Sequence, residues 1–416
     1  MNRRVVVTGV GLVSCLGHEY ESVLEALRAG KSAVRRMTEW RADLGLESRV
    51  AGAVDHLEEK KAAARLPKKL VPAMSDAALF CCLAARDAVA DAGLEPGQLA
   101  DPRTGCIVGS GVGSIDSVWR AAELYLSARS RRIDPYTVLR CMSSSASAAV
   151  ASLLAIRGRS YSIASACATS AHNIGHAFEL IRQGRLDRAV AGGGEDVSEL
   201  VAVAFQALRL ALSTSYNDVP EQASRPFDQG RDGFVMGGGG GIVVLEELGA
   251  ARARGARIRA EILGFGANSD GFDLVLPEPE GDQAAACMRL ALDDAEVEPS
   301  RIDYVNTHGT STRHGDVAEL KALRQVFGRG VPPFSSTKSM TGHPIGAAGA
   351  LELIFCIGML ERGFVAPSIN VTKPDPAVAD LPLVTAAREL PLATVLSSSF
   401  GFGGTNGVLV VGRFDD

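Results

Sequence analysis

Ser162-Ile163-Ala164-Ser165-Ala166-Cys167-Ala168-Thr169-Ser170 is the stretch from which the chain is best read outward. It opens as a short β-like run, ends in a cysteine and turns at once into a helical pattern. Ile174, Phe178 and Ile181 fall at helical spacing after Cys167, and Gly184 supplies a stop. A strand-to-helix turn therefore places the thiol at a helix N-terminus, where unpaired N–H groups and the positive end of the dipole favour thiolate. The same N–H groups can receive an oxyanion when sulfur attacks a carbonyl carbon. On this segment alone, a small buried cysteine in a tight corner is the simpler reading.

The surrounding chain has 416 residues, beyond the size at which single cores stop growing, so two domains or two fused halves are expected. Hydrophobic residues make up 46% and charged residues 22%, which suits a folded enzyme, and the net charge of −5 makes nucleic acid an unlikely bulk partner. No apolar run approaches the ~20 residues that span a bilayer. Met1-Asn2-Arg3-Arg4 leads into a strand rather than a signal peptide, so a cytoplasmic protein is expected. The eight cysteines are scattered, without C-x-x-C pairs or histidines at metal spacing, and read as reduced thiols.

Val5-Val6-Val7-Thr8-Gly9-Val10-Gly11 reads as a buried strand running into a glycine turn. Position 14 is serine where a dinucleotide fingerprint needs its third glycine, so tight packing is the better account. Met74 to Ala92 is an expected helix opened by Ser75-Asp76 and closed by Gly93. Strands are expected at 106–109, 188–191 and 242–245, with a small-residue helix over Ser143 to Ile156. The polar stretch Lys31 to Lys69 has little periodicity. The glycines 237 to 241 lack the Lys-Ser/Thr and the helix of a phosphate cradle, so close backbone packing is expected there.

Beyond Ala250 to Gly255 the order begins again. Ile262-Leu263-Gly264-Phe265-Gly266 echoes the first strand, a helix covers Gln283 to Asp293, and Ile302 to Asn306 matches Cys106 to Gly109. Phe334 to Lys338 leads into a helix that stops at Gly363, and Val395 to Ser399 with Val408 to Val411 closes the series. The repeated strand–helix order predicts an internally duplicated α/β fold, with halves 1–254 and 255–416. Three strand ends of the second half carry polar groups without a packing purpose: Asn306 to Thr312, Lys338 to Pro344 and Ser399 to Asn406. Two glycine-flanked histidines, His308 and His343, in the half that mirrors the cysteine half, point to a shared catalytic site.

These motifs together resemble the β-ketoacyl-acyl-carrier-protein synthases of the thiolase superfamily, closest to type I. The matching residues are Ser165-Ala166-Cys167-Ala168-Thr169-Ser170-Ala171-His172, His308-Gly309-Thr310-Ser311-Thr312, Lys338 with Gly342-His343, and Gly401-Phe402-Gly403-Gly404-Thr405-Asn406. The resemblance implies a thiolase-like fold, layered α-β-α-β-α with two mixed sheets. It implies a decarboxylating Claisen condensation of an acyl group held on Cys167 with malonyl on acyl carrier protein, in fatty-acid elongation. A specialised polyene or secondary-lipid synthase and a noncatalytic chain-length subunit stand as alternatives, and intact Cys167, His308, His343 and Lys338 argue against the last.

By the same resemblance His308 and His343 handle the malonyl group, Lys338 supports the site electrostatically with Glu319 as its partner, and Thr310 and Thr312 bond the pantetheine arm. The N–H groups of Cys167 and Phe402 form the oxyanion hole. The loop from Gly401 to Gly404 swings Phe402 as a gate. Val112 shapes the acyl tunnel, and His314 beside Arg313 is a rim residue. Lys68, Lys69, Arg129, Arg131 and Arg132 would dock the acidic carrier. The family implies a homodimer, no cofactor, no catalytic metal, and a structural monovalent cation near Asn306, Glu352 and Ser397.

Overall fold

The computed structural model describes residues 3–41, 43, 45–55, 64–209 and 211–415. Met1, Asn2 and residues 56–63 of the polar stretch after Lys31 lie outside the described residues.

Ten strands form one hydrogen-bonded sheet: β1 (Val5–Ser14), β2 (Thr104–Gly109), β3 (Ser160–Tyr161), β4 (Arg188–Glu195), β5 (Gly239–Glu247), β6 (Ala260–Ser269), β7 (Tyr304–Asn306), β8 (Phe334–Ser335), β9 (Thr394–Gly401) and β10 (Thr405–Gly412). Their spatial order is β8-β7-β9-β10-β6-β1-β5-β4-β2-β3. Each half therefore repeats the same five-strand order from its outer edge, and the directions repeat too. In each half the three outer strands run parallel and the other neighbours antiparallel. The two mixed sheets expected from the resemblance are thus one continuous mixed sheet, its five-stranded halves joined where Val5, Val6 and Val7 of β1 pair with Ile262, Glu261 and Ala260 of β6.

The helices that matter for the site are α1 (Asp76–Ala92), α2 (Ile115–Leu126), α3 (Ser145–Leu154), α4 (Thr169–Arg182), α5 (Asp282–Ala295), α6 (Arg313–Phe327) and α7 (Ala348–Arg362). Strand alternation sets the layers. Ile242 and Val244 of β5 pack outward with α1, while Val243 and Leu245 face a central core with α4 and α7. Val408 and Val410 of β10 pack on α5 and α6, whereas Leu409 and Val411 join the same central core. The result is helix, sheet, helix, sheet, helix, with α4 and α7 in the middle.

Local chemistry explains the element ends. Ser75 caps α1 by accepting from Ala78 N at 3.2 Å, and Gly93 ends it in the left-handed region at φ +62°. The first strand does not turn at its glycines; it runs through them to Ser14. A Cβ at Gly9 would sit 2.2 Å from the Ala88 carbonyl oxygen, and one at Gly264 of β6 2.5 Å from that of Ala291, so both glycines let a helix lie flush on a strand. The interval expected to divide the halves is a short helix, Leu248–Ala253, ending in the Gly255 turn.

No helix among the described residues is long and apolar enough to cross a membrane. All eight cysteines are free thiols.

Candidate active site

Cys167 sits in a 3-10 turn, Ala166–Ala168, directly before α4. Only Ser160 and Tyr161 of the approach are strand. Ile163 N instead donates to Asn173 Oδ1 at 3.1 Å and Ser165 N to Thr169 Oγ1 at 2.9 Å, so side chains of α4 take the donors a longer strand would use. Ala166 is held at φ +48°, a conformation costly for a residue with a Cβ. His172 braces the turn. Its Nε2 lies 3.0 Å from the Asn406 carbonyl, so Nε2 carries the proton and Nδ1 accepts from Ser165 Oγ at 2.6 Å.

The duplicated fold brings the second half's strand ends to this turn. Cys167 Sγ and one ring nitrogen of each of His308 and His343 lie within 4.8 Å of one another, all three residues being buried. The imidazoles meet edge to face, with centroids 5.1 Å apart. His308 follows β7, and Glu319 of α6 fixes its backbone by accepting from His308 N and Gly309 N, both at 2.7 Å. His343 follows Gly342, which adopts φ +68°; its N–H donates to the Val235 carbonyl at 2.7 Å, and Phe234 packs edge-on to its ring.

Glu319 is thus not the direct partner of Lys338. The Lys338 ammonium, 1% exposed, pairs with Glu352 at 2.5 Å, because α7 carries Glu352 past it in the central layer. Burial pushes the Glu319 carboxyl up to about 7, against the pull of its two backbone donors and of the Lys338 charge. Burial and the Lys338 cation hold both imidazoles well below the ordinary histidine value, His343 adding to the effect on His308. Both rings are therefore neutral at pH 7. Neither ring nitrogen of His343 has a partner among the described residues, nor does Nδ1 of His308. Their hydrogen-bonding capacity is unspent within the described residues.

The thiol departs from the sequence expectation. Burial pushes it up to about 12, outweighing the Lys338 charge and the Phe402 and Cys167 N–H groups, which favour thiolate, while Glu195 opposes them. The resting nucleophile is a protonated thiol. The Phe402 and Cys167 N–H groups both face the Cys167 sulfur. Gly401 keeps that space open, since a Cβ there would stand 3.1 Å from Cys167 N and 2.9 Å from the Ser165 carbonyl oxygen.

A cavity of about 680 Å³ joins Cys167, His308 and His343 to solvent. Thr310 and Thr312 line it with their hydroxyls 3.0 Å apart, Arg313 and His314 line it as exposed residues, and Phe402 lines it beside Phe205. Val112 does not line this cavity; it is half-buried in the apolar cluster that holds Cys167, Val201 and Ile345. Lys68, Lys69, Arg129, Arg131 and Arg132 are exposed, and their two segments are tied by Arg140 Nε donating to the Pro72 carbonyl at 2.9 Å. Asn306 Oδ1 and Glu352 Oε2 are buried without partners among the described residues, and Ser397 faces Asn306 across the β7–β9 ladder. Those oxygens suit a hard cation.

Sequence reasoning missed the wall formed by the segment after β6. Asp270, Asp273, Val275, Leu276 and Glu278 line the cavity, and Leu274 O accepts from Gly403 N at 2.9 Å. It also missed Glu195, whose signal was a carboxylate closing the glycine-rich strand β4.

Residues 2–251 match the family described as beta-ketoacyl synthase, N-terminal domain, and residues 259–372 its C-terminal domain. The chain is 46% identical over 415 residues to 3-oxoacyl-(acyl-carrier-protein) synthase 1 of Haemophilus influenzae, covering 99% of this chain and 100% of that one. It is 47% identical over 416 residues to the Escherichia coli protein of the same description, covering 100% of both. Among solved structures, a beta-ketoacyl synthase from Burkholderia phymatum superposes with a TM-score of 0.93 at 38% identity, covering 99% of this chain and 100% of that one. A ketosynthase bound to a hexaketide, in complex with a type II PKS acyl-carrier protein, gives 0.90 at 30% identity, covering 100% of both chains.

Proposed function

Because the chain belongs to the β-ketoacyl synthase family, we propose that it elongates fatty acids by condensing an acyl group on Cys167 with malonyl on acyl carrier protein, releasing CO₂ and 3-oxoacyl carrier protein. The observation that carries this reading is the meeting of one thiol and two neutral imidazoles at the floor of a cavity walled by both halves.

In the first step Cys167 Sγ attacks the thioester carbonyl of an acyl carrier. The Cys167 and Phe402 N–H groups take the oxyanion, the C–S bond to the carrier breaks, and the thiol proton ends on the departing pantetheine sulfur. An initially protonated thiol makes this proton transfer part of acylation. In the second step the malonyl C–C bond breaks, its electron pair becomes an enolate, and His308 and His343 hydrogen-bond the thioester oxygen that carries the charge. The enolate carbon then attacks the acyl carbonyl on Cys167, and the sulfur leaves and regains a proton. Neutral imidazoles donate such bonds without a buried positive charge.

On this reading residues 1–254 form the acyl-accepting half and 255–416 the malonyl-handling half. Thr310 and Thr312 hold the pantetheine arm, Phe402 gates the cavity, Lys338 orders the site electrostatically through its Glu352 pair, and Val112 bounds the acyl chain from behind Cys167. Asn306, Glu352 and Ser397 would hold a structural monovalent cation that braces β7 and β9. Carrier docking on Lys68, Lys69, Arg129, Arg131 and Arg132 is supported by their exposure and by the carrier-bound relative. A homodimer is supported by the exposed apolar side chains Trp119, Tyr125, Leu126, Val138 and Leu139. The cytoplasm is the proposed compartment, on the sequence expectation.

Incubation with acyl carriers of graded length and malonyl carrier should yield 3-oxoacyl carrier and an acylated Cys167 peptide by mass spectrometry. C167A should lose at least about a thousandfold of the condensation rate. Condensation retained in C167A contradicts the assignment. A product extended by repeated condensation on one carrier would favour the specialised pathway.

A further inference from the structure

The duplication places a second turn where the first half has Cys167. Ile345–Ala347 is a 3-10 turn directly before α7, as Ala166–Ala168 is before α4, and both open on a residue at positive φ, +39° for Ile345 and +48° for Ala166. Gly346 is thus the counterpart of Cys167. The closing strands correspond as well: β4 and β9 each have eight residues, ending at Glu195 and Gly401.

The two ends behave oppositely. Gly401 leaves the Cys167 amide open for an oxyanion. At the counterpart position, Glu195 Oε2 accepts from Gly346 N at 3.1 Å and from Gly111 N at 2.8 Å, while Oε1 accepts from Ser110 Oγ at 2.7 Å and Val112 N at 3.3 Å. Glu195 is 1% exposed and has no cationic partner among these contacts. Gly346 N, the counterpart of the Cys167 amide, and Gly111 N of the first half converge on one carboxylate oxygen, an anion cradle of the same kind as the one proposed for Cys167 and Phe402.

The contacts reach both sides of the site. Gly111 is wedged among Glu195, Ala166 and Ile345; a Cβ on it would lie 2.9 Å from Glu195 Oε2, 3.0 Å from the Ala166 carbonyl oxygen and 3.2 Å from Ile345 Cγ2. Ile345 follows His343 by two residues and lines the substrate cavity, and Val112 packs in the Cys167 cluster.

We infer that Glu195 is a positioning residue for the proposed condensation, its carboxylate occupying the silent counterpart of the oxyanion hole and clamping the strained turns of Cys167 and His343 together. Burial raises its own pKa, and its charge opposes ionisation of the thiol. The four donors all point at the carboxylate and favour its ionised form against that burial.

The inference rests on the proposed activity but can be judged apart from it. E195A leaves all four donors unmet, whereas E195Q keeps an oxygen for Gly111 and Gly346 and loses only Val112 N, since the Ser110 hydroxyl can reverse. E195A should condense about a hundredfold more slowly, the scale of a misplaced reacting group, and E195Q should stay within about threefold of wild type. The second readout is Cys167 alkylation by iodoacetamide across pH. The thiol is faced by Lys338, Glu195, His308 and His343, and only Glu195 changes, so E195Q should alkylate about threefold faster at a fixed pH below the midpoint, equivalent to half a pKa unit.

Equal rates in wild type and both variants, or E195Q as impaired as E195A with unchanged alkylation, would overturn the inference. If E195A does not fold, E195Q is set against S110A, which removes one donor and no charge: faster alkylation in E195Q alone supports the clamp, and equal alkylation in both refutes it. If wild type condenses nothing, the proposed function fails, and the alkylation comparison still decides the inference.

Discussion

The two halves share strand order, strand direction and a 3-10 turn before a central helix, yet they have diverged at the atoms that matter. The first half's turn carries a thiol with an open amide cradle; the second half's turn carries a glycine whose cradle is filled by Glu195. In exchange, the second half's β8-to-α7 connection holds Lys338 and His343, while its β7 end holds His308. Duplication supplied two equivalent strand-end sites facing one cavity. On the proposed reading the chemistry is divided between them, one half taking the acyl group and the other the carbanion.

The sharpest way to break that division is to injure one half and read both reactions. H343A should slow malonyl decarboxylation by about a hundred- to a thousandfold, the worth of one aimed donor at a developing charge. Acylation of Cys167, followed by mass, should persist. Parallel losses in both reactions would mean the histidine serves the site as a whole.

Gly401 tests the open cradle. G401A puts a methyl group 3.1 Å from Cys167 N, 2.9 Å from the Ser165 carbonyl oxygen and 2.6 Å from Thr405 Oγ1, so acylation should fall by about ten- to a hundredfold, with a lower thermal midpoint as the crowded turn shifts. Unimpaired acylation would show that the Cys167 amide does not receive the oxyanion.

The pH profile separates the halves in a second way. Because burial and Lys338 lower the imidazole pKa values, the rings stay neutral as pH falls through the ordinary histidine value of 6.5. Malonyl decarboxylation should therefore hold level from pH 8 to 6, with its acid limb below that. Protonation destroys the neutral form, so K338M, which removes the neighbouring cation, should move the limb upward. The variant's fold must be checked, since it strands the Glu352 carboxylate at a cost of about 3–5 kcal/mol. An acid limb at 6.5 in wild type would contradict the burial argument.

The smallest effect expected is at the rim. Charge reversal at Lys69 and Arg131 should raise KM for the carrier about two- to fivefold at low salt and converge with wild type as salt screens the pair. A salt-independent KM would remove these residues from the docking face.

The duplication was legible because each half repeats an apolar strand followed by a helix with a terminal glycine, and because Gly9 and Gly264 mark the same close helix-on-strand contact. Cys167 was legible as a thiol at a strand-to-helix turn and His308 and His343 as histidines at glycine-flanked strand ends, while the role of Lys338 came from the family resemblance. The ion pair of Lys338 was not, since Glu352 and Glu319 both stand on helices and only the layer order decides which one reaches the ammonium. The thiol's protonation state was hidden for a related reason: a sequence indicates a helix N-terminus but not how much of the central layer buries it. Glu195 left only the signal of a carboxylate closing a glycine-rich strand, because its partners come from 110–112 and 346, segments that meet only in three dimensions.

The most direct test of the divided site is a two-stage mass measurement on wild-type enzyme. Acyl carrier alone should load one acyl group on the Cys167 peptide, and that mass should persist until malonyl carrier is added, then vanish as 3-oxoacyl carrier and CO₂ appear in equal amounts. Product formed without a Cys167-bound intermediate, or CO₂ released while the acyl group stays on the cysteine, would contradict the account.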